Sequence, residues 1–165
     1  DHDGAFAAFP RYRGESRENT PFSRNRDHPL VAGVVQRWGS GVMARQVARL
    51  VELAGLPERL ERLRESLTPE AGGQVADPPA PDGGLGTAEA ARGRLAHWVA
   101  LDEGAIREYR ILAPTEWNFH PNGVLNAALR GLRATCQTDQ IREQASLVVR
   151  SLDPCIGFDV EVHHA

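Results

Sequence analysis

Lysine is absent from these 165 residues; all 19 cationic side chains are arginine. Without an ε-amine the chain can neither form a Schiff base nor use a lysine general base. Cysteine occurs only at Cys136 and Cys155, too few for a disulfide framework, and a reducing cytoplasm is the expected compartment. No apolar run approaches the roughly 20 residues of a membrane-spanning helix, and no signal peptide is visible. Neither sign of charge dominates. The net charge is −3 and the pI about 6.1, so the balance asks for neither nucleic acid nor membrane insertion. What is there is ordinary for a globular domain: 41% hydrophobic and 25% charged residues, enough to bury a core within one unit over 1–165. The chain opens at Asp1 without a regular element, as expected of a piece of something longer.

Periodicity predicts a fold class of α+β, mainly α-helical with one antiparallel β-hairpin. Residues 1–26 are polar and aperiodic, and read as loop. Asp27 is placed to cap a helix with Pro29 in its first turn, and Leu30, Val31, Val34, Val35 and Trp38 share one face. Gly39 ends it. A second helix runs from a Ser40 cap to Gly55, and a third starts at Pro57, where Leu56, Leu60, Leu63 and Leu67 recur at helical spacing. The Pro- and Gly-rich stretch 69–86 reads as a mobile loop or linker. The period then changes to two over Arg94–Leu101, a "DEG" turn follows, and Ala105–Leu112 returns as the second strand of a hairpin near 93–112. Asn122 can cap a short helix, and Ile141, Ala145, Val148 and Leu152 line the face of a last one, which Asp153-Pro154 breaks.

Taken alone, the reactive residues decide little. Cys155 follows a helix-breaking proline and is displayed at a bend, but a free cysteine is more often a small packed hydrophobe than a ligand. Arg92, Thr115 and the tail pair His163-His164 could face the same cavity; each is more commonly a surface residue. Two cysteines and two tail histidines do not match zinc-finger spacing. His28, His97 and His120 have no Ser or Cys at nucleophile-elbow spacing.

Three stretches carry more. "EAARGRLAHWVALDEGAIREYRILAPTEWN", "SLDPC" and "PRYRGESRENTPFSR" resemble, in the right order, the E-A-P-R-G hairpin with its P-[ST]-x-W-N, the D-P-C-x-x-C-x-x-H tail and the P-R-Y-x-G-x-x-x-E-x-G-P-L-A-R segment of nickel–iron hydrogenase large subunits. The resemblance implies a fold like the C-terminal part of such a subunit. It also implies roles. Cys155 takes the place of a terminal nickel ligand. Arg92 and Thr115, the latter behind Pro114, take the places of donors to the two cyanides on iron. A guanidinium or hydroxyl beside an anionic cyanide nitrogen is a charge-assisted donor in a low-dielectric pocket.

The departures are as informative. Phe158 stands where the family has the cysteine that bridges nickel and iron. Glu161 stands at the closing histidine, with His163 and His164 just beyond it as the tail's metal donors. Ala91 replaces the proline of E-A-P-R-G, and no R-x-C-G-x-C is present. Keeping the cyanide pocket while losing the bridging thiolate resembles the large-subunit-like accessory proteins of hydrogenase maturation, the HupK/HoxV type. That implies a non-catalytic scaffold holding an Fe(CN)2CO unit, with nickel doubtful. Its partners would be maturation chaperones and the large-subunit precursor. The rival readings are a divergent hydrogenase large subunit and a metal-free structural or partner-binding domain.

Overall fold

The computed structural model of the chain describes residues 5–67, 82–133 and 137–163. The N-terminal segment, expected as loop, contains two short helices, α1 (Ala5–Ala8) and α2 (Pro21–Asn25), joined by an irregular stretch with one bridge between Tyr12 and Glu15. The Thr20 hydroxyl accepts from the Phe22 N–H and caps α2, and Pro21 fills its first position, where a missing N–H costs nothing.

Helix α3 (Pro29–Trp38) starts one residue later than expected, with His28 as its cap. Proline at the first helical position pushes the residue before it into the extended region, so His28, not Asp27, takes the cap. Its Nδ1 accepts from the Leu30 N–H. Gly39 closes the helix at φ 79°. The two helices expected next are one, α4 (Val42–Ser66), running through Pro57. Gly55 is not in the left-handed conformation that ends a helix. Pro57 removes only its own bond to the fourth preceding carbonyl, and the strong helix formers after it continue the spiral.

The core is small side chain against branched side chain. Ala44 and Ala48 of α4 let α2 and α3 approach closely, burying Phe22 and Val31, with Val34, Val35, Val47 and Val51 packed around them. Leu30 and Trp38, expected on the buried face, are exposed.

Beyond residues 68–81 the expected hairpin is present as β2 (Gly93–Asp102) and β3 (Ala105–Leu112), and β1 (Gly83–Ala90) adds a third antiparallel strand in the order β1-β2-β3. Residues 69–81 of the expected linker lie outside the described residues; Gly83–Gly86 are paired strand. Strand pairing uses backbone groups and tolerates glycine where approach is close. A Cβ on Gly83 would stand 2.1 Å from the Val99 carbonyl oxygen.

Three helices complete the chain: α5 (Pro114–Asn118), α6 (Val124–Arg130) and α7 (Thr138–Ser151). Gly123, not Asn122, caps α6. As the pattern predicted, Ala145, Val148 and Leu152 are buried along α7. Among the described residues, no helix is long and apolar enough to cross a membrane.

One electrostatic contact ties α2 to α4. Arg24 donates two hydrogen bonds to the Glu52 carboxylate, at 3.0 and 2.6 Å, and Asn25 donates a third. Partial burial works to raise the Glu52 pKa, but the hydrogen bonds from Arg24 and Asn25 and the charges of Arg24 and Arg59 outweigh it and hold the carboxyl below its ordinary value. A folded pKa below the unfolded one adds stability above the ordinary carboxylate range, lost as pH falls through the folded value. Urea midpoints should therefore fall more steeply on acidification for the native protein than for Glu52→Gln. Parallel acid limbs would show that the contact contributes nothing.

Candidate functional site

Arg92 and Thr115 sit at the ends of regular elements. Arg92 is on the two-residue turn between β1 and β2, where Ala90 pairs with Gly93. The turn is held from both sides. Arg24 donates to the Ala91 carbonyl at 3.1 Å, and Asn19 grips the start of β2. The Asn19 side-chain amide donates to the Arg94 carbonyl and accepts from the Arg94 N–H, both at 2.8 Å, as a neighbouring strand would.

Asn19 also grips α5. Its backbone N–H donates to Asn118 Oδ1 at 2.8 Å and its carbonyl accepts from Asn118 Nδ2 at 3.0 Å. Asn118 is buried, so these bonds satisfy an amide that would otherwise cost about 1–3 kcal/mol. Pro114 opens α5 and is buried, Thr115 follows half-buried, and the Ala113 N–H donates to the Glu116 carboxylate across the first turn. The Thr115 hydroxyl makes no hydrogen bond among the described residues.

Gly93 is where these segments press together. At φ 142° its missing Cβ would lie 2.4 Å from the Asn19 carbonyl oxygen and 2.9 Å from Pro114 Cβ. Gly93→Ala should cost about 2 kcal/mol or more, from backbone strain and overpacking combined, read as a lower urea midpoint. An unchanged midpoint would mean that the Asn19 contact is loose.

The C-terminal motif arrives from α7. Arg49 of α4 donates to the carbonyls of Arg150 (3.1 Å) and Ser151 (2.7 Å), capping the helix where it must stop. Ser151 and Leu152 are buried, and Asp153 turns the chain at φ 53° before Pro154. Its carboxylate meets Arg92, with Nε and Oδ2 3.4 Å apart and both side chains close to half exposed. Cys155, two residues on and so within about 7 Å of Asp153 along the chain, is a free, exposed thiol.

The Arg92 turn, the Pro114-Thr115 helix start and the Asp153-Cys155 bend thus belong to one region, through Gly93–Pro114 and Arg92–Asp153. The cleft beside the bend is not the shared cavity expected for Cys155, Arg92 and Thr115. The cleft beside the bend, about 560 Å³, lies between α7 and the tail and is walled by Asp153, Pro154 and Phe158 with Arg142 and Arg150; Cys155, Arg92 and Thr115 do not line it. His163 is exposed at the tail, 3.4 Å from Glu161, and His164 lies outside the described residues. Trp98 and Trp117 are partly exposed: Arg110 stacks over the first, and Phe6 meets the second edge-on.

Among the described residues no three His, Cys, Asp or Glu side chains stand together to hold a metal ion, and Phe158 offers nothing to coordinate.

Asn19, Asn118, Asp153 and the Glu18–Arg45 pair behind them were not singled out in the sequence. Their signal was present all the same: each of the first three lies inside a quoted motif.

The nickel-dependent hydrogenase family model matches residues 27–161. The hydrogenase expression/formation protein HupV of Azotobacter chroococcum mcd 1 is 42% identical over 101 residues, covering 56% of this chain and 28% of that protein. The corresponding HoxV of Cupriavidus necator is 37% identical over 127 residues, covering 69% and 31%. In the solved structure of the reduced Ni-Fe-Se hydrogenase from D. vulgaris Hildenborough, the same fold recurs with a TM-score of 0.68 at 24% identity, over 89% of this chain and 36% of that one. This chain spans less than a third of the length of those two curated relatives. With the family model matching most of its length and the three motif segments gathered around one turn, the chain belongs to the nickel-dependent hydrogenase family.

Proposed function

We propose that this protein is a non-catalytic scaffold in the maturation of nickel–iron hydrogenases, holding an Fe(CN)2CO unit as cargo before it passes to the large-subunit precursor. The observation that carries the reading is the set of donors around the Arg92 turn. It comprises one free thiol at Cys155, one free hydroxyl at Thr115 and one guanidinium at Arg92, with Phe158 where a second thiolate would be needed. The names of the relatives, which are expression and formation proteins, support it.

In this reading Cys155 offers the thiolate that anchors iron. Arg92 and Thr115 donate to the cyanide nitrogens, and Pro114 holds Thr115 at the start of its helix. His163 and His164 are the tail's remaining donors. Arg92 has a resident partner in Asp153, so the cargo must compete for it. One thiolate and a shared guanidinium make retention weak, which suits a carrier that must release its load. The maturation chaperones that deliver the unit, and the cytoplasm where they work, follow from the same reading.

Infrared spectra test it. Protein produced with its maturation partners and purified without oxygen should show cyanide and carbonyl stretches, and should neither evolve nor oxidise hydrogen. Hydrogen turnover would make it an enzyme. Spectra with no such bands, from cells that mature their hydrogenase normally, would leave a structural domain.

A further inference from the structure

The second half of α4 is exposed at every residue from Leu53 to Leu67. Leu53, Leu56, Leu60, Leu63 and the capping Leu67 follow a 3-4-3-4 spacing, the a/d pattern of a helix-pairing seam, and all five are exposed, from 39% to 75%. The seam continues into a groove of about 790 Å³ between α4 and the α2–α3 junction, floored by Leu30, Val47, Leu50 and Leu56. Three guanidiniums, Arg24, Arg59 and Arg62, line that groove against one carboxylate, Glu52. Arg24 is engaged by Glu52 and Arg62 by Glu58, whereas Arg59 acts on Glu52 through its charge alone and makes no ion pair or hydrogen bond among the described residues.

We infer that this seam and groove dock one amphipathic helix from outside these 165 residues, carrying an apolar a/d stripe flanked by Asp or Glu. Charge selects that occupant over a second copy of the chain. Arg59 falls at a g position and Arg64 at an e position. A parallel copy sets Arg59 opposite Arg64, whose charge Glu61 partly offsets, and an antiparallel copy layered on Leu56 and Leu60 sets Arg59 opposite itself; both bring guanidinium towards guanidinium. An acidic flank removes the repulsion and gives Arg59 a carboxylate within contact distance. Length points the same way, since the relatives are about three times as long as the stretch they share with this chain.

Synthetic helical peptides test the inference without knowledge of the natural partner. One carries leucine at a and d with glutamate at e and g; a second carries lysine at e and g; a third has the first one's composition scrambled. Anisotropy with labelled peptide and the full 165-residue chain should show the glutamate peptide binding about tenfold more tightly than the lysine peptide. Arg59→Glu with Arg62→Glu should reverse that order. Leu60→Asp, an exposed substitution that leaves the core alone, should weaken both peptides. Three results would overturn the inference: equal binding of all three peptides, no binding, or a chain that dimerises by light scattering and becomes monomeric on Leu60→Asp.

Discussion

Purified with its maturation partners, the Cys155→Ala protein is expected to carry no infrared-active iron, while keeping the stability of the parent. The thiol is exposed and packs against nothing that its loss would leave void, so the change removes a ligand and not a piece of core. Deleting a donor that only supports a ligand lowers metal affinity on the order of 10–100-fold; deleting the bond itself must cost more. Arg92→Ala should fall in that lower range, because its guanidinium reaches the cargo only through hydrogen bonds. Arg92→Lys should not restore full retention, since a point charge lacks the planar fork of donors. Phe158→Cys supplies a second thiolate and should shift the balance the other way, with more iron retained and slower appearance of active hydrogenase in the host. Cys155→Ala with a full iron complement and normal maturation would reduce Cys155 to a surface residue and end the scaffold reading.

Arg45→Met is expected to destabilise the fold by about 3–5 kcal/mol, the cost of stranding one charge of a buried pair. Arg45 is 3% exposed and donates through Nε and Nη2 to both oxygens of Glu18, at 2.9 and 3.0 Å; the Thr20 hydroxyl donates to the same carboxylate. At roughly 2–4 °C per kcal/mol for a chain of this size, the melting temperature should drop by some 6–20 °C. Glu18→Leu combined with Arg45→Met should recover much of the loss, because an apolar pair of similar volume has no stranded charge. The consequence reaches the site. Glu18 precedes Asn19, whose amide and backbone hold both the Arg92 turn and α5, so Arg45→Met should also lower cargo retention. Circular dichroism melts measure the first effect and iron content the second. A melting shift under about 2 °C, well below the range set by a buried pair, would show that the pair is solvated and not structural.

Much of the architecture was legible along the chain. Alternation over Arg94–Leu101 and Ala105–Leu112 marked the hairpin because a strand's side chains repeat every two residues, whatever lies around them. The α7 stripe was legible for the same kind of local reason. Helix ends were less so: Gly55 and Pro57 are signals of interruption, and whether a helix heeds them depends on the rest of the fold. Strand β1 was missed because its glycines have no side chains to alternate.

At the site, the residue types with chemistry to offer were visible in sequence as Arg92, Thr115 and Cys155, because their spacing within three motifs is a property of the chain alone. So was the absence of a second thiolate at Phe158. Only the tertiary structure decided what surrounds them. Asn19 and Asn118 are 99 positions apart, and Arg92 meets Asp153 across two strands and three helices. Hydrogen bonds and ion pairs act over a few ångströms, so groups this far apart along the chain interact only where folding brings them into contact. Sequence determined which donors this protein owns; packing decided that Asp153 already holds one of them.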